Sequence, residues 1–265
     1  MRGTTNRKAF KAYLEGERLF SIISKADMDR SRKKFQTATK LDPNFARAWG
    51  YLSYTYTRTV LAGWLPAGQL ATAEKHAKKA IALDPDDYAP HWDAAYAYLN
   101  GGKFKEAMKE YETALDLYEN WTDLLDRKHG LLSEMAEAYV YIGKPQKAID
   151  LLERAKHHPD WYSWNCGFAY YMAGQYDDAI RELDSMRLRP GDAGYVMDVQ
   201  LFIAAAYAQK GNKTMAQAAL KLFQGSRRGR ARYTLKDVKK RGCFKYKKDE
   251  KHLLDGLRKA GIPAR

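Results

Sequence analysis

The side chains that could hold a metal are His157-His158-Pro159-Asp160. A zinc site needs three or four ligands converging on one point, and neighbours in a turn diverge. Without a further His or Cys cluster, this stretch reads as a solvated turn. The two cysteines, Cys166 and Cys243, lie in different segments without metal-ligand spacing. Cys166 reads as a small core residue, and two cysteines cannot build a disulfide framework. The acid pairs Asp86-Asp87, Asp177-Asp178 and Asp249-Glu250 fall in or near first turns of helical segments, where the helix dipole favours negative charge without any general acid–base role. Asn120-Trp121-Thr122 matches the glycosylation triplet, but nothing supports export. No Gly-rich phosphate loop, Ser-His-Asp set or paired-carboxylate motif stands out. The expectation is a chain with no catalytic residue, metal or cofactor.

Those side chains sit in sequence with a strong helical period. The frame Tyr-x3-Gly-x4-Ala occurs four times, at Tyr98/Gly102/Ala107, Tyr139/Gly143/Ala148, Tyr170/Gly174/Ala179 and Tyr207/Gly211/Ala216. Each copy lies between two stretches whose apolar residues recur at three and four. A glycine there is a left-handed helix stop, since it has no Cβ to clash. The alanine one turn into the next helix lets two helix axes approach closely, and the tyrosine fills the space beside the stop. The frame predicts antiparallel helical hairpins.

Trp49-x2-Leu52-Ser53-x2-Tyr56, followed by Ala73, Ala77, Ala80 and Pro85, resembles the tetratricopeptide repeat (TPR). The endings Ala38-Thr39-Lys40-Leu41-Asp42-Pro43 and Ala80-Ile81-Ala82-Leu83-Asp84-Pro85 look like the close of the second helix of that repeat. Six units are drawn, at roughly 9–45, 46–87, 88–121, 129–160, 160–193 and 197–230. The second carries about eight extra residues, within TVLAGWLPAGQL, with Pro66 as a helix opener. The third is expected to have a long second helix through Leu117 to Leu125, and the fifth to follow a turn at His158-Pro159. The resemblance implies an all-α, right-handed superhelix. Its array is placed at residues 1–230, with a basic connector and a capping helix at 231–265. A narrower likeness rests on Trp64-Leu65-Pro66 and Leu253-Leu254-Asp255-Gly256-Leu257-Arg258-Lys259-Ala260-Gly261, which look like the TPR arrays that follow bacterial adenylate or guanylate cyclase domains.

In the TPR architecture the first helices of successive hairpins line the inside, and residues spaced 3, 4 and 3 share one face. The resemblance places there Tyr51, Tyr54, Trp92, Tyr96, Glu134, Glu137, Trp164, Phe168 and Tyr171, with Asp93 and Asn165 beside them. Trp and Tyr give large contact area with few rotors to freeze, which suits binding. TPR domains that grip a C-terminal carboxylate use Lys, Arg and Asn at such positions. Here Asn165 is the one amide that matches, so a segment with apolar anchors, and a Lys or Arg facing Glu134 and Glu137, fits better.

The net charge of +14 is uneven: residues 1–40 hold +7, residues 225–265 hold +11 and residues 41–224 hold −4. The C-terminal cations Arg227, Arg228, Arg230, Arg232, Lys239, Lys240, Arg241, Lys245, Lys247 and Lys248 mix with Tyr233, Phe244 and Tyr246, a composition compatible with phosphate contacts and base stacking. A solvated cap, an acidic protein surface, nucleic acid or an anionic membrane, and self-association through the acidic middle are the alternatives. No apolar signal core follows Met1, and few cysteines fit a reducing compartment, so a cytoplasmic location is expected. The function expected is a non-catalytic adaptor holding a protein or peptide segment. The alternatives are polyanion binding by the basic end and an accessory role beside a cyclase-like enzyme.

Overall fold

A left-handed residue can stop one helix and free the next amide to start another. In the computed structural model, Gly102, Gly143, Gly174 and Gly211 have φ of 75°, 76°, 78° and 79°. The amide after each glycine donates to the carbonyl of the frame tyrosine: Lys103 to Tyr98 (2.8 Å), and Lys144 to Tyr139, Gln175 to Tyr170 and Asn212 to Tyr207 (2.9 Å each). Each glycine N–H donates to the carbonyl one residue beyond the tyrosine, so every frame closes as a Schellman motif. The same following residue then accepts from the frame alanine, as Lys103 does from Ala107 at 2.9 Å. Those alanines are buried: Ala107, Ala148 and Ala179 at 0% exposure and Ala216 at 2%.

The structure describes residues 3–20, 24–119, 125–154, 162–187, 196–225, 234–239 and 244–264. Their regular structure is helical, with no strand among them. No helix among them is long and apolar enough to cross a membrane. By their internal contacts the residues form two compact units, Met1–Leu131 and Leu132–Arg265.

The first unit contains α1 (Arg7–Phe20), α2 (Lys25–Leu41), α3 (Ala46–Leu61), α4 (Leu70–Leu83), α5 (Tyr88–Asn100) and α6 (Phe104–Glu119). They pair as α1/α2, α3/α4 and α5/α6, with α3 against α5. Ser24 caps α2 by accepting from the Asp27 amide at 3.0 Å. The core packs Ala9, Ala12, Tyr13, Phe35, Ala38, Phe45, Ala48 and Leu52 together. Gly16 lets Phe35 lie on α1, since a Cβ there would stand 2.7 Å from the ring. Arg47 and Asp87 tie α3 to the start of α5 through two hydrogen bonds, of 2.5 and 2.9 Å. Asp87 also caps α5, accepting from Ala89 N–H. Burial would lower the Arg47 pKa, but the hydrogen bond and charge of Asp87 outweigh it and raise it.

The eight-residue insertion is partly helix. Here α3 continues through Leu61, and Gly63 (φ 73°) ends it with the same motif: Trp64 N–H to Thr59 O at 3.0 Å and Gly63 N–H to Val60 O at 2.9 Å. Thr59 therefore stands where the other frames have tyrosine. Only Gly63–Gln69 departs from the hairpin, with Pro66 leading into a 3-10 turn at Ala67–Gln69. Thr55, Thr57 and Thr59 are fully buried, each hydroxyl donating to the carbonyl four residues back.

α7 spans Leu125–Tyr141, and residues 120–124, on which the expected extension of α6 to Leu125 depends, lie outside the described residues. The second unit continues with α8 (Pro145–Glu153), α9 (Tyr162–Met172), α10 (Tyr176–Arg187), α11 (Val196–Gln209), α12 (Lys213–Gly225), α13 (Leu235–Lys239) and α14 (Lys247–Ala260). Pro145 sits at the first helical position of α8, where its missing N–H is harmless. Gly167 in α9 seats Leu183 of α10, because a Cβ there would be 2.4 Å from the leucine Cγ. α14 packs on α9, α11, α12 and α13 with Leu253, Leu254, Leu257 and Ala260 buried, and ends at left-handed Gly261. The described part of residues 231–265 thus packs within the second unit. His157-His158-Pro159-Asp160, Asn120-Trp121-Thr122 and Cys243 lie outside the described residues.

Candidate partner-binding surfaces

A common register organises the first helices of the hairpins. Two residues before the frame tyrosine, with Tyr56 counted in α3, stand Tyr54, Tyr96, Glu137, Phe168 and Ala205; five before it stand Tyr51, Asp93, Glu134, Asn165 and Phe202.

In the first unit this register brings rings together. Tyr54 and Tyr96 stack with centroids 4.5 Å apart and planes at 26°, and each is only 9% exposed. Phe20 meets the edges of Tyr51 and Tyr54 at 5.9 and 5.3 Å. Tyr51 also stacks on Phe35 at 5.1 Å. Asp93 is 8% exposed, its Oδ2 pressed on Gly50, where a Cβ would be 2.3 Å away. Tyr51 and Trp92 are half-buried. Tyr54, Tyr96 and Asp93 therefore spend most of their surface on helix packing, while Tyr51 and Trp92 keep part of theirs accessible.

In the second unit Trp164 stacks on Phe168 (6.4 Å) and meets Phe202 edge-on (4.7 Å). Phe168 meets Phe202 and Tyr141 at 5.6 and 5.7 Å. Phe168 is 3% exposed and Tyr171 is fully buried, with Tyr176, Phe202 and His252 around it. Asn165 donates its amide to the carbonyl and hydroxyl of Ser133 at 3.0 and 2.7 Å, tying α9 to α7. That amide is occupied internally, so it is not available to a ligand carboxylate. Glu134, Glu137 and Trp164 are half-buried. Three further rings, Tyr141, Phe202 and Phe244, complete this cluster. Phe202 was legible, since the five-residue offset counted from Tyr207 lands on it. Tyr141 and Phe244 follow no such offset.

Sequence comparison bears on these hairpins directly. Residues 65–127 match the family described as Tetratricopeptide repeat. The hairpins have the tetratricopeptide-repeat fold. A 70-residue stretch is 39% identical to DnaJ homolog subfamily C member 3 of Gallus gallus, covering 26% of this chain and 14% of that protein. The chain thus spans a small part of that relative's length. Among solved structures it is similar to a tetratricopeptide repeat protein from Parabacteroides merdae, 17% identical with TM-score 0.54, over 94% of this chain and 99% of that one. It is similar also to a chain of the APC/C hetero-tetramer Cut9-Hcn1, 18% identical with TM-score 0.61, over 88% and 46%. PilF of Pseudomonas aeruginosa, 13% identical with TM-score 0.56, matches over 83% and 94%. At these identities the likeness to solved structures establishes the TPR fold.

Histidines brace the TPR hairpins of the first unit. His91 Nδ1 lies 2.5 Å from Glu110 Oε2 and its Nε2 lies 2.9 Å from Pro85 O. Two acceptors suit an imidazolium: burial lowers the His91 pKa, but Glu110 and the Pro85 carbonyl outweigh it and raise it. His76, packed between the rings of Trp49 and Tyr56, is held down to about 4 by burial and by Lys75 and Lys79. In the second unit a cleft of about 160 Å³ is lined by Ile149, Leu152, Glu153, Tyr162, Cys166, Tyr170 and Glu182. Burial, with Glu182 and Glu153, pushes the Cys166 thiol up to about 12, so it is an unreactive wall of that cleft. No group of three or more His, Cys, Asp or Glu among the described residues could hold a metal ion.

Of the predicted basic patch, Arg227, Arg228, Arg230, Arg232, Lys240 and Arg241 lie outside the described residues. Lys239, Lys245, Lys247 and Lys248 are exposed. Lys245 and Lys248 place their ammonium groups 5.3 and 5.8 Å over the Tyr246 ring.

Proposed function

We propose that this chain is a non-catalytic adaptor, and that it holds a segment of a partner protein against the first-helix faces of its TPR hairpins. The TPR fold supports a protein-interaction role in general. The observation that carries the finer reading is the register itself. Equal offsets from the frame line up Tyr51, Tyr54 and Tyr96 in one unit and Phe168 and Phe202 in the other, next to half-buried Trp92 and Trp164. An aromatic whose base is fixed by neighbours while one face stays accessible loses little entropy on binding, which is the usual character of an anchor pocket. Half-buried Glu134 and Glu137 favour a segment carrying Lys or Arg.

The test is selection from a random peptide display library on the wild-type chain, followed by titration of the selected peptides. Trp92→Ala and Trp164→Ala, each with unchanged helical circular dichroism, should weaken binding by tenfold or more. Undiminished affinity in both variants would overturn the reading. Repeating the titrations from low to physiological salt separates ring contacts, which stay nearly flat, from phosphate-type binding, which falls steeply.

A further inference from the structure

The aromatic face of the second unit is already occupied, by the chain itself. Phe244 meets Tyr141 at 5.2 Å and 70° and Phe168 at 6.3 Å and 65°. The next amide, Lys245 N–H, donates to Tyr141 O at 2.9 Å, at the C-terminal end of α7. The segment then crosses the ends of the following first helices in order. His252 Nε2 lies 3.3 Å from Tyr171 O near the end of α9. Gln209, which ends α11, donates to His252 O at 3.4 Å and accepts from Lys259 Nζ at 2.8 Å.

The two parts of this segment are held unequally. α14 has four buried apolar side chains and a glycine, Gly256, lying directly against Tyr171 and Gln209. Among the described residues, 244–246 rest on α7 through the partly buried Phe244 ring, the Lys245 N–H and the Tyr246 ring beside Gly143, while the Tyr246 carbonyl accepts from the Asp249 and Glu250 amides of α14; Lys245 is exposed and Tyr246 is 44% exposed. Phe244 and Lys245 of this short strap precede the Tyr246 cap of α14, so their contacts with α7 are separate from the buried contacts of that helix.

We infer that residues 244–246 are a ligand bound in cis, and that the seat formed by Tyr141, Phe168 and the Tyr141 carbonyl accepts a partner segment of the same chemistry once the strap lifts. The occupant defines what fits: an aromatic side chain followed directly by a residue with a backbone N–H, which excludes proline at that second position. The exposed Lys245 ammonium lies over the Tyr246 ring and does not specify the ligand. Because a tethered ligand acts at high effective concentration, the strap sets the threshold that a partner must overcome. This inference rests on the proposed use of the first-helix face.

The test uses the full-length chain labelled with nitrogen-15 and the acetylated, amidated peptides GFKYKK and GFPYKK. Peptide is titrated to millimolar concentration while the amide signals of residues 141–143 and 168 are followed. Phe244→Ala should bind GFKYKK at least tenfold more tightly than wild type, and GFPYKK should saturate neither. Equal affinity of both proteins for GFKYKK, no binding to the variant, or binding of GFPYKK would each overturn the inference. Should Phe244→Ala lose helical content, Lys245→Pro serves instead, as it removes the N–H donated to Tyr141 and is expected to free the seat likewise. Failure here with library peptides still dependent on Trp92 and Trp164 would sink the strap and leave the adaptor reading intact. Loss of that dependence would sink both.

Discussion

The two units carry the same hairpin and use its first-helix face differently. In the first unit the tyrosines two residues before the frame position stack on one another, as Tyr54 does on Tyr96, and an ion pair at the entrance to α5 fixes their helices. In the second unit the equivalent Phe168 meets a ring from far along the chain, Phe244, and the closing helix lies across the helix ends. One face is closed by its own neighbours, the other by a tethered segment. The repeat therefore fixes backbone geometry without fixing what covers the face. Substitutions in each unit separate the two.

Asp87→Ala should cost most. It strands the Arg47 guanidinium, whose side chain is 10% exposed against 7% for Asp87, and it also removes the α5 cap. Breaking a buried pair from one side costs about 3–5 kcal/mol. Urea unfolding measures the total, and native-state hydrogen exchange should show α3 and α5 losing protection before α9 and α11. An Asp87→Ala protein that keeps its stability would mean that the first unit is held by its rings alone. Next comes Gly167→Ala in the second unit, which forces Leu183 aside from a 2.4 Å approach. Overpacking of this kind costs about 1–3 kcal/mol, read as a lower urea midpoint with unchanged slope. At the equivalent place, three residues before the frame position, the first unit already has Ser53 and Ala95, both fully buried. A cost below the measurement error would show that α10 gives way easily.

Much of this was legible in the sequence because it is written in local chemistry. Tyr-x3-Gly-x4-Ala encodes a Schellman stop and a close helix contact within ten residues, so the hairpins and their small-residue contacts follow directly. The insertion was harder, since Thr59-x3-Gly63 makes the same stop with a threonine in place of the tyrosine. Of the proposed site, side-chain type and offset placed the candidate residues on a common register of the first helices. They could not distinguish Trp92 and Trp164, which keep exposed surface, from Tyr171 and Phe168, which are buried, because that depends on partners distant in sequence. His252 against Tyr171 is separated by 81 residues, and no period connects them.

Two histidines should shape the pH dependence of the first unit with opposite signs. The raised pKa of His91, facing Glu110 and Asp87, gives stability that is fully present below the unfolded value of about 6.5 and is lost as pH rises through the folded value. The lowered pKa of His76, facing Lys75 and Lys79, does the reverse. Its contribution is fully present above about 6.5 and is lost as pH falls toward about 4, by about 1–2 kcal/mol once partial exposure is discounted. Urea midpoints measured between pH 4 and pH 9 should therefore peak near neutrality. His76→Gln is expected to flatten the acid side and His91→Gln the alkaline side. An unchanged profile in either variant would remove that histidine from the account.

The smallest effect tests the comparison most directly, because it uses one substitution at the same frame position in each unit. Gly102 and Gly143 have nearly the same backbone, φ of 75° and 76°. A Cβ at Gly102 would meet nothing within 4 Å, whereas at Gly143 it would stand 2.8 Å from Asp249 Oδ2 and 2.9 Å from the Tyr246 ring. Alanine at either place carries the left-handed penalty of about 1–2 kcal/mol. At Gly143 it must also push Tyr246 and the start of α14 outward. The backbone penalty cancels in the difference between the two variants, so what is left measures how firmly the tethered segment is seated. An excess at Gly143 of about 1 kcal/mol is expected for a ring that can swing into solvent. An excess above about 3 kcal/mol would mean that the segment is a fixed part of the second unit and cannot lift to admit a partner. No excess at all would mean that it already stands away from α7.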